Sequence, residues 1–386
     1  MKKRPSVALL IETSNSYGRG LLQGIIAYQG EHPTWSIHLP EQGRGETPPS
    51  WLRKWRGDGI IARIENRAIA RAVKNTRLPV VDVSAARLIP DIPWVETDDR
   101  AIAEMAFTHL FERGFRHLGY CGEPAFNWSK WRLEHFQRLA ADHGLSCQVY
   151  PPVPRQRRVS WDEEQRELMQ WVRRLPKPVG VMAAYDIKAQ ILLDACRELG
   201  THVPEDVAVI GVDNDLLLCN LANPPLSSIV PNTQGAGYEA ASLLERLILG
   251  KKVPPTAHLI EPLEVVTRQS TNVLAIEDRD VASSVRFIRE HACDGIDVHD
   301  ILSVVPLSRR VLEKRYVHFM GRTPHEDILL RKIERAKQLL AATDLGMCLI
   351  AERSGFKHVE YLSVAFKRGV GVSPSVYRRQ QQGRHA

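Results

Sequence analysis

The sequence predicts an α/β architecture over residues 1–270 and an all-α domain behind it, and three observations predict it. Short apolar runs alternate with helical stretches, the strand signal stops from Glu277 onward, and the positive charge gathers in the C-terminal quarter. Strands that alternate with helices, and are apolar on both faces, belong to parallel sheets covered by helices. The 386 residues exceed one domain at roughly 100–200 residues each. A composition with 44% hydrophobic and 25% charged residues excludes wholesale disorder, collagen-like repetition and a membrane bundle.

In order, the apolar run at 7–11 predicts the first strand, with a polar turn and a helix over 21–28 behind it. Runs at 59–62, 79–83, 117–120, 179–183 and 207–212 repeat the strand pattern, and helices are predicted over 102–113, 131–143, 163–174, 189–199 and 236–249. That is too many elements for one doubly wound sheet, so two Rossmann-like lobes with a ligand cleft between them are expected. The polar stretch around 271–280 is the expected linker, which places the domains at 1–270 and 281–383. Helices are predicted over 281–291, 298–304, 309–320, 324–342, 348–353, 358–368 and 374–380.

The net charge of +7 is unevenly placed. Residues 301–386 hold 16 Lys/Arg against 7 Asp/Glu, which leaves 36 basic and 38 acidic residues for the first 300. A compact basic segment on a near-neutral body is the footprint of phosphate-backbone binding, because each neutralised phosphate releases a counterion. A solvated basic surface would show the same balance, so the pattern within the segment has to decide.

That pattern is a repeat. A shift of fifty aligns Leu312 with Leu362, Tyr316 with Phe366, Gly321 with Gly371, Thr323 with Ser373 and Pro324 with Pro374. Each unit is a short helix, a turn and a second helix, a helix-turn-helix twice over. On the first of the second helices Leu312, Tyr316 and Phe319 form the apolar stripe; Arg310, Lys314 and Val317 point away, with Arg309 and Glu313 at the flanks. In the repeat Leu362 and Phe366 face the core, while His358, Glu360, Ser363, Val364 and Lys367 lie on or beside the outer face. A major groove admits such a helix, where Arg or Lys reads guanine and Glu accepts from cytosine. Ser308 is placed to cap the first of them, where a backbone phosphate can also dock. Between the units Leu329, Ile333, Ala336 and Leu340 make one stripe of a long helix that spaces the two motifs.

The six cysteines are scattered without a CxxC pair, so neither a disulfide framework nor a metal site is expected. Lys2, Lys3 and Arg4 precede an apolar run too short for a signal peptide, and no run approaches the roughly 18 residues of a membrane helix. A cytoplasmic protein without membrane contact is expected.

For the α/β part, Gly18, Gly20 and Gly24 invite a dinucleotide reading, but the spacing is one residue longer than the fingerprint and no acidic residue follows about twenty positions on. The polar run 12–19 at a strand end, with Asn15, Tyr17 and Arg19, suits a polyhydroxyl ligand better. Asp186 and Asp213 with Asn214 also stand at strand ends and are favoured as ligand contacts; Asp82 is not, since Asp there is often a turn former.

The segments 306–316, 331–340, 350–356 and 366–378 resemble the AraC-family DNA-binding domain, a match of about one hundred residues from Val281 to Arg379. Pro306 and Val364 depart from that family's pattern. The segments 207–214, 226–232 and 113–120 resemble the effector domain of LacI/GalR-type regulators and periplasmic sugar-binding proteins. The second resemblance implies a sugar held by Arg132, Asp186 and Asp213, Pro231 where a contacting polar residue is often found, and lobe crossings near 111–115, 227–231 and 260–265. The order of the two domains, with Asn15, Tyr17 and Arg19 after the first strand, is similar to XylR-type regulators of xylose operons. That likeness implies a sugar-responsive transcription activator that binds double-stranded DNA and a monosaccharide, xylose first, as a homodimer that engages RNA polymerase, with no cofactor. Two alternatives stay open: the same architecture answering another monosaccharide or small molecule, and a cytoplasmic sugar- or dinucleotide-dependent enzyme. The enzyme is disfavoured because no base and nucleophile can be paired by spacing.

Overall fold

The structure, a computed structural model, describes residues 4–32, 35–41, 43, 47–151, 161–272, 276, 278–343 and 345–382. Two compact units divide between residues 273 and 274. Within the expected linker 271–280, residues 273–275 and 277 lie outside the described residues, as does residue 383 at the end of the expected helical domain.

The first unit holds two six-stranded sheets. The first runs, edge to edge, Ala257–Ile260, Trp94–Thr97, Val80–Asp82, Gly59–Ala62, Ser6–Leu10 and Ser36–His38, every pair parallel. The second runs Glu264–Val266, Ser227–Val230, Val207–Val212, Val179–Ala183, His117–Cys121 and Cys147–Val149. Its one antiparallel pair among the described residues joins Ser227–Val230 to Glu264–Val266. Both are doubly wound with the strand order reversing beside the first strand of each lobe, which opens a crevice at the carboxyl ends there. The central strands Gly59–Ala62, Val179–Ala183 and Val207–Val212 are buried at every position, so their unbroken apolar runs are what two covered faces require.

Strands that the apolar runs did not announce lie mostly at the edges. Ser36–His38 is exposed along its length, and Cys147–Val149 and Glu264–Val266 are only partly covered, so nothing demanded apolar residues there. Trp94–Thr97 is buried but carries Glu96, whose charge is met by Arg87 at 2.7 Å. One expected crossing moves. The helix Asp99–Glu112 already packs on the second sheet, so the chain changes lobes at Asp98, which caps that helix, and not near 111–115. Returns fall between Val230 and Thr233 and between Ile260 and Glu264.

The second unit is helical: Arg279–His291, Val298–Leu302, Arg309–Met320, Pro324–Ala342, Met347–Arg353, Val359–Val370 and Pro374–Gln382, with a 3-10 turn at Ala292–Asp294. Thr323 and Glu326 close a capping box on the long helix, and Pro324 fills its first position. Gly321 and Gly371 end the two outward-facing helices at φ 66° and 85°, a left-handed conformation that glycine enters without the cost of a Cβ. The expected stripe is adjusted by one residue: Leu312, Tyr316 and Met320 are buried, while Phe319 is half-buried against His318. The second stripe holds Leu362 and Phe366 with Ala365 and packs on Ile333, Ala336 and Leu340 of the long helix.

Candidate functional site

Between the carboxyl ends of the two sheets lies a cavity of about 510 Å³, within the usual range for small-molecule sites. From the first lobe come Asn15, Tyr17 and Arg19 after strand Ser6–Leu10, Arg63 after Gly59–Ala62, Ser84 after Val80–Asp82, and Thr97. From the second come Trp128 and Arg132, then Tyr185 and Asp186, then Asp213 and Asp215, each group behind one strand. The structure thus brings Asn15, Tyr17, Arg19, Arg132, Asp186 and Asp213 together.

Their chemistry is largely pre-engaged. Arg132, buried, donates Nε to Asp99 Oδ1 at 2.7 Å and Nη1 to the Ala184 carbonyl at 2.6 Å, and its guanidinium lies 5.0 Å from the Trp128 ring. Burial opposes its charge, but Asp99 and Asp213 outweigh burial and raise its pKa. Arg63 is paired with Glu12 and, at 2.7 Å, with Glu65, and lies 5.0 Å from the Tyr17 ring. Burial raises the Tyr17 hydroxyl, so it enters the cavity as a neutral donor. Burial also lifts Asp99 to about 6. Arg19 reaches the Thr13 carbonyl at 3.0 Å and Asp215 of the other lobe at 3.7 Å, and Asn127 Nδ2 donates to the Ala85 carbonyl at 3.1 Å, so the two rims are tied across the cleft.

Two expected contacts carry structural duties as well. Asn15 caps the helix Ser16–Glu31 by accepting from Gly18 N–H at 2.7 Å, and its amide donates to Glu12 at 2.9 Å. Asp186 accepts from Ser228 Oγ at 2.6 Å, Asp215 N–H at 2.8 Å and Cys219 Sγ at 3.4 Å; burial, then the charge of Asp213, raises its pKa to about 8. Asn214 is held by Arg268 Nη2 at 2.8 Å and is not among the residues that line the cavity. Asp82 accepts from the N–H groups of Ile64 and Ser84, the role of a turn former.

Sequence reasoning missed Arg63, Thr97, Asp99, Trp128, Tyr185 and Asp215. A signal existed for Arg63, which directly follows a strand of four apolar positions and so stands at a carboxyl end like Asp213. The three glycines after the first strand serve packing. A Cβ on Gly20 would lie 1.9 Å from Thr233 Oγ1, and one on Gly24 would lie 2.0 Å from the Gln234 carbonyl, so they let the helix Ser16–Glu31 touch Thr233–Ile248.

In the helical unit Ser308, Arg309, Arg310, Lys314, His358, Glu360 and Lys367 are exposed, and Glu313 and Ser363 are half-exposed beside them. Ser308 occupies the cap position but its hydroxyl makes no capping bond. Arg309 Nε donates to Glu313 at 2.9 Å within the helix. Arg315, also on this helix, is drawn to Asp278 at 3.2 Å and Asp280 at 3.6 Å. Val364 presents an exposed apolar side chain at the centre of the second helix.

Residues 6–100 match the family described as the XylR N-terminal domain, 107–271 a periplasmic binding protein-like domain and 302–380 a helix-turn-helix domain. The chain is 32% identical to the xylose operon regulatory protein of Escherichia coli K12 over 384 residues, covering 97% of each chain. Its identity to the protein of that name from Haemophilus influenzae is 32% over 380 residues, covering 96% of this chain and 97% of the other. A solved structure described as the xylose-binding transcription activator xylR superposes with a TM-score of 0.82 at 32% identity, covering 98% of both chains. A LacI-type regulator from Alkaliphilus metalliredigens, complexed with D-xylulofuranose, shares the fold of the first unit at a TM-score of 0.56 and 21% identity, covering 69% of this chain and 98% of that one. No helix among the described residues is long and apolar enough to cross a membrane. With its cleft between two doubly wound sheets and its doubled helix-turn-helix, the chain belongs to the family of xylose operon regulatory proteins.

Proposed function

We propose that this chain is a cytoplasmic transcription activator that binds D-xylose in the cleft of residues 1–270 and double-stranded DNA through residues 281–383. The carrying observation is charge pairing in the cavity. Arg132 is met by Asp99, Arg63 by Glu12 and Glu65, and Arg19 by Asp215. A sugar acid or sugar phosphate would have to break the buried pairs of Arg132 and Arg63, whereas a neutral polyol needs only donors and acceptors in fixed places. Arg132, Asp213, Asp186, Asn15, Tyr17 and Arg19 are the contacts we assign, with Asn214 behind them; Trp128 offers an apolar face to the sugar's C–H bonds. The names of the relatives support xylose over other pentoses.

For DNA we assign Arg310, Glu313, Lys314, Glu360, Ser363 and Lys367 to base edges or their flanks, and Ser308, Arg309 and His358 to the backbone. A homodimer that presents paired half-sites and engages RNA polymerase completes the reading.

Titration with xylose, arabinose, ribose, glucose and xylose 5-phosphate, followed by tryptophan emission, tests it. Saturable binding of xylose without binding of the phosphate is expected. A phosphate ester that bound more tightly would overturn the neutral-sugar assignment. Arg132→Ala and Asp213→Ala are expected to abolish the response while DNA binding persists.

A further inference from the structure

Behind the cavity a buried hydrogen-bond network runs from Asp186 to the last segment before the expected linker. Asp186 Oδ1 accepts from Ser228 Oγ, and Ser228 Oγ accepts from Asn214 N–H at 3.0 Å. Asn214 Oδ1 accepts from Arg268 Nη2 at 2.8 Å, and Arg268 also donates Nη1 to the Leu226 carbonyl at 2.9 Å. The Arg268 N–H donates to Ser227 Oγ at 2.7 Å, and that hydroxyl returns its proton to the Arg268 carbonyl at 2.9 Å. Thr271 Oγ1 donates to Ser227 Oγ at 2.7 Å, so it must accept from His109 Nε2, also at 2.7 Å. Burial, then Arg113, pushes His109 down to about 3, and the ring stays neutral as the Nε2–H tautomer.

Two features set this network apart from ordinary packing. Asp213 and Asn214 lie at φ 107° and 45°, non-glycine residues in the left-handed region, a conformation that costs of order 1–3 kcal/mol and persists only when the surroundings over-determine it. Asp213 lines the cavity while Asn214, one peptide on, takes the Arg268 guanidinium. In addition, Ser227, Ser228, Ser270 and Thr271 are fully buried, so no water can replace a bond that is let go.

We propose that Arg268 is a positioning residue of the effector response: through Asn214 it carries the state of the Asp213 turn to residues 268–272, which lead into the helical unit. The proposal rests on the sugar cavity assigned above. A ligand that draws Asp213 inward turns the shared peptide and with it the acceptor that holds Arg268, and the exit segment follows because Ser227 and Thr271 tie it to the same residue.

The test uses the full chain, tryptophan emission and D-xylose, with and without a DNA duplex from upstream of the neighbouring genes. The ratio of the two xylose dissociation constants is the coupling factor, which must equal the reciprocal effect of xylose on DNA affinity and is about 5–150 in typical allosteric proteins. Arg268→Met, which keeps the stem and removes the donors, is expected to hold xylose affinity within about threefold while the coupling factor falls to about 1. Asn214→Asp keeps the acceptor and is expected to keep coupling; Asn214→Ala is expected to lose it. Unchanged coupling in Arg268→Met overturns the proposal. Should Arg268→Met melt early, the Asn214 pair decides, and equal coupling in Asp and Ala variants overturns it. A wild type that binds xylose without coupling to DNA defeats the relay alone; one that binds no sugar defeats the sugar reading, and the relay with it.

Discussion

The two halves of the helical unit keep one geometry with opposite chemistry. In the first, the buried hydroxyl of Tyr316 donates to Asp327 Oδ2 at 2.6 Å, and Asp327 also takes Arg322 at 2.9 Å and, more distantly, Arg331 at 3.8 Å. Fifty residues on, Phe366 meets Tyr377 edge to face, with ring centroids 5.5 Å apart. A helix pair that needs three partners for one carboxylate has become a pair that needs only contact area. The first half therefore depends on its one carboxylate, and the second tolerates changes that keep a ring.

Asp327→Ala should break this contrast most strongly. It leaves two guanidinium groups and a hydroxyl without their acceptor at about 3 kcal/mol, the lower end for a broken buried pair because Arg322 remains a third exposed. Thermal unfolding would register it, and Tyr377→Phe, which keeps the ring, should leave the midpoint in place. Ala336→Pro strikes the helix shared by both halves, at a site with no exposed surface, and should cost about 3 kcal/mol of helix stability. Its signature is loss of operator binding by both motifs together.

The outer faces differ too, and DNA titrations can sharpen that. Lys314→Ala should reduce discrimination against wrong bases by about 1–3 kcal/mol, while Lys367→Ala, on a helix centred on the exposed Val364, should cost less. Arg309→Ala should weaken all sequences alike and lower the salt slope by about 1. Equal losses for Lys314 and Lys367 would mean that the second helix reads as fully as the first.

A pH series separates the two units. Burial lifts Asp82 to about 7, Asp99 to about 6 and Asp186 to about 8 in the α/β unit, whereas hydrogen bonds from Thr323 lower the pKa of Glu326 in the helical one. A carboxyl with a raised native pKa binds its proton more tightly folded than unfolded, so the stability it contributes is present at low pH and lost as pH rises through the native value. The α/β transition should accordingly melt at higher temperature near pH 6 than near pH 8.5. A glutamate shifted down behaves the opposite way and weakens its helix only on acidification. Calorimetry at pH 6 and 8.5 reads the first, and unfolding scans taken below pH 4.5 read the second.

What the sequence disclosed follows from how each element is constrained. Strands covered on both faces, such as Val207–Val212, need unbroken apolar runs and announced themselves. Edge strands such as Ser36–His38 have no such need and stayed silent. The fifty-residue repeat was legible because turn glycines and helix-capping residues recur at fixed spacing whatever the contacts between them. The cavity was half legible: Asp213 and Asp186 stand at strand ends, but Asp99 and Trp128 enter through helix starts whose tertiary neighbours no local pattern encodes.

The close passage of the helices Ser16–Glu31 and Thr233–Ile248 has a consequence for the order of synthesis. Gly24 and Gly237 bring the two backbones so near that a Cβ on either would strike the opposite carbonyl, and this contact buries one face of the first sheet. The partner helix and the sheet's last strand, Ala257–Ile260, leave the ribosome only after nearly all of the second lobe. The first lobe must wait with its apolar face open while most of the second can close on itself, and a chain halted near residue 230 would carry one lobe that lacks only its edge strand Glu264–Val266 and the segment 268–272, and one that invites aggregation.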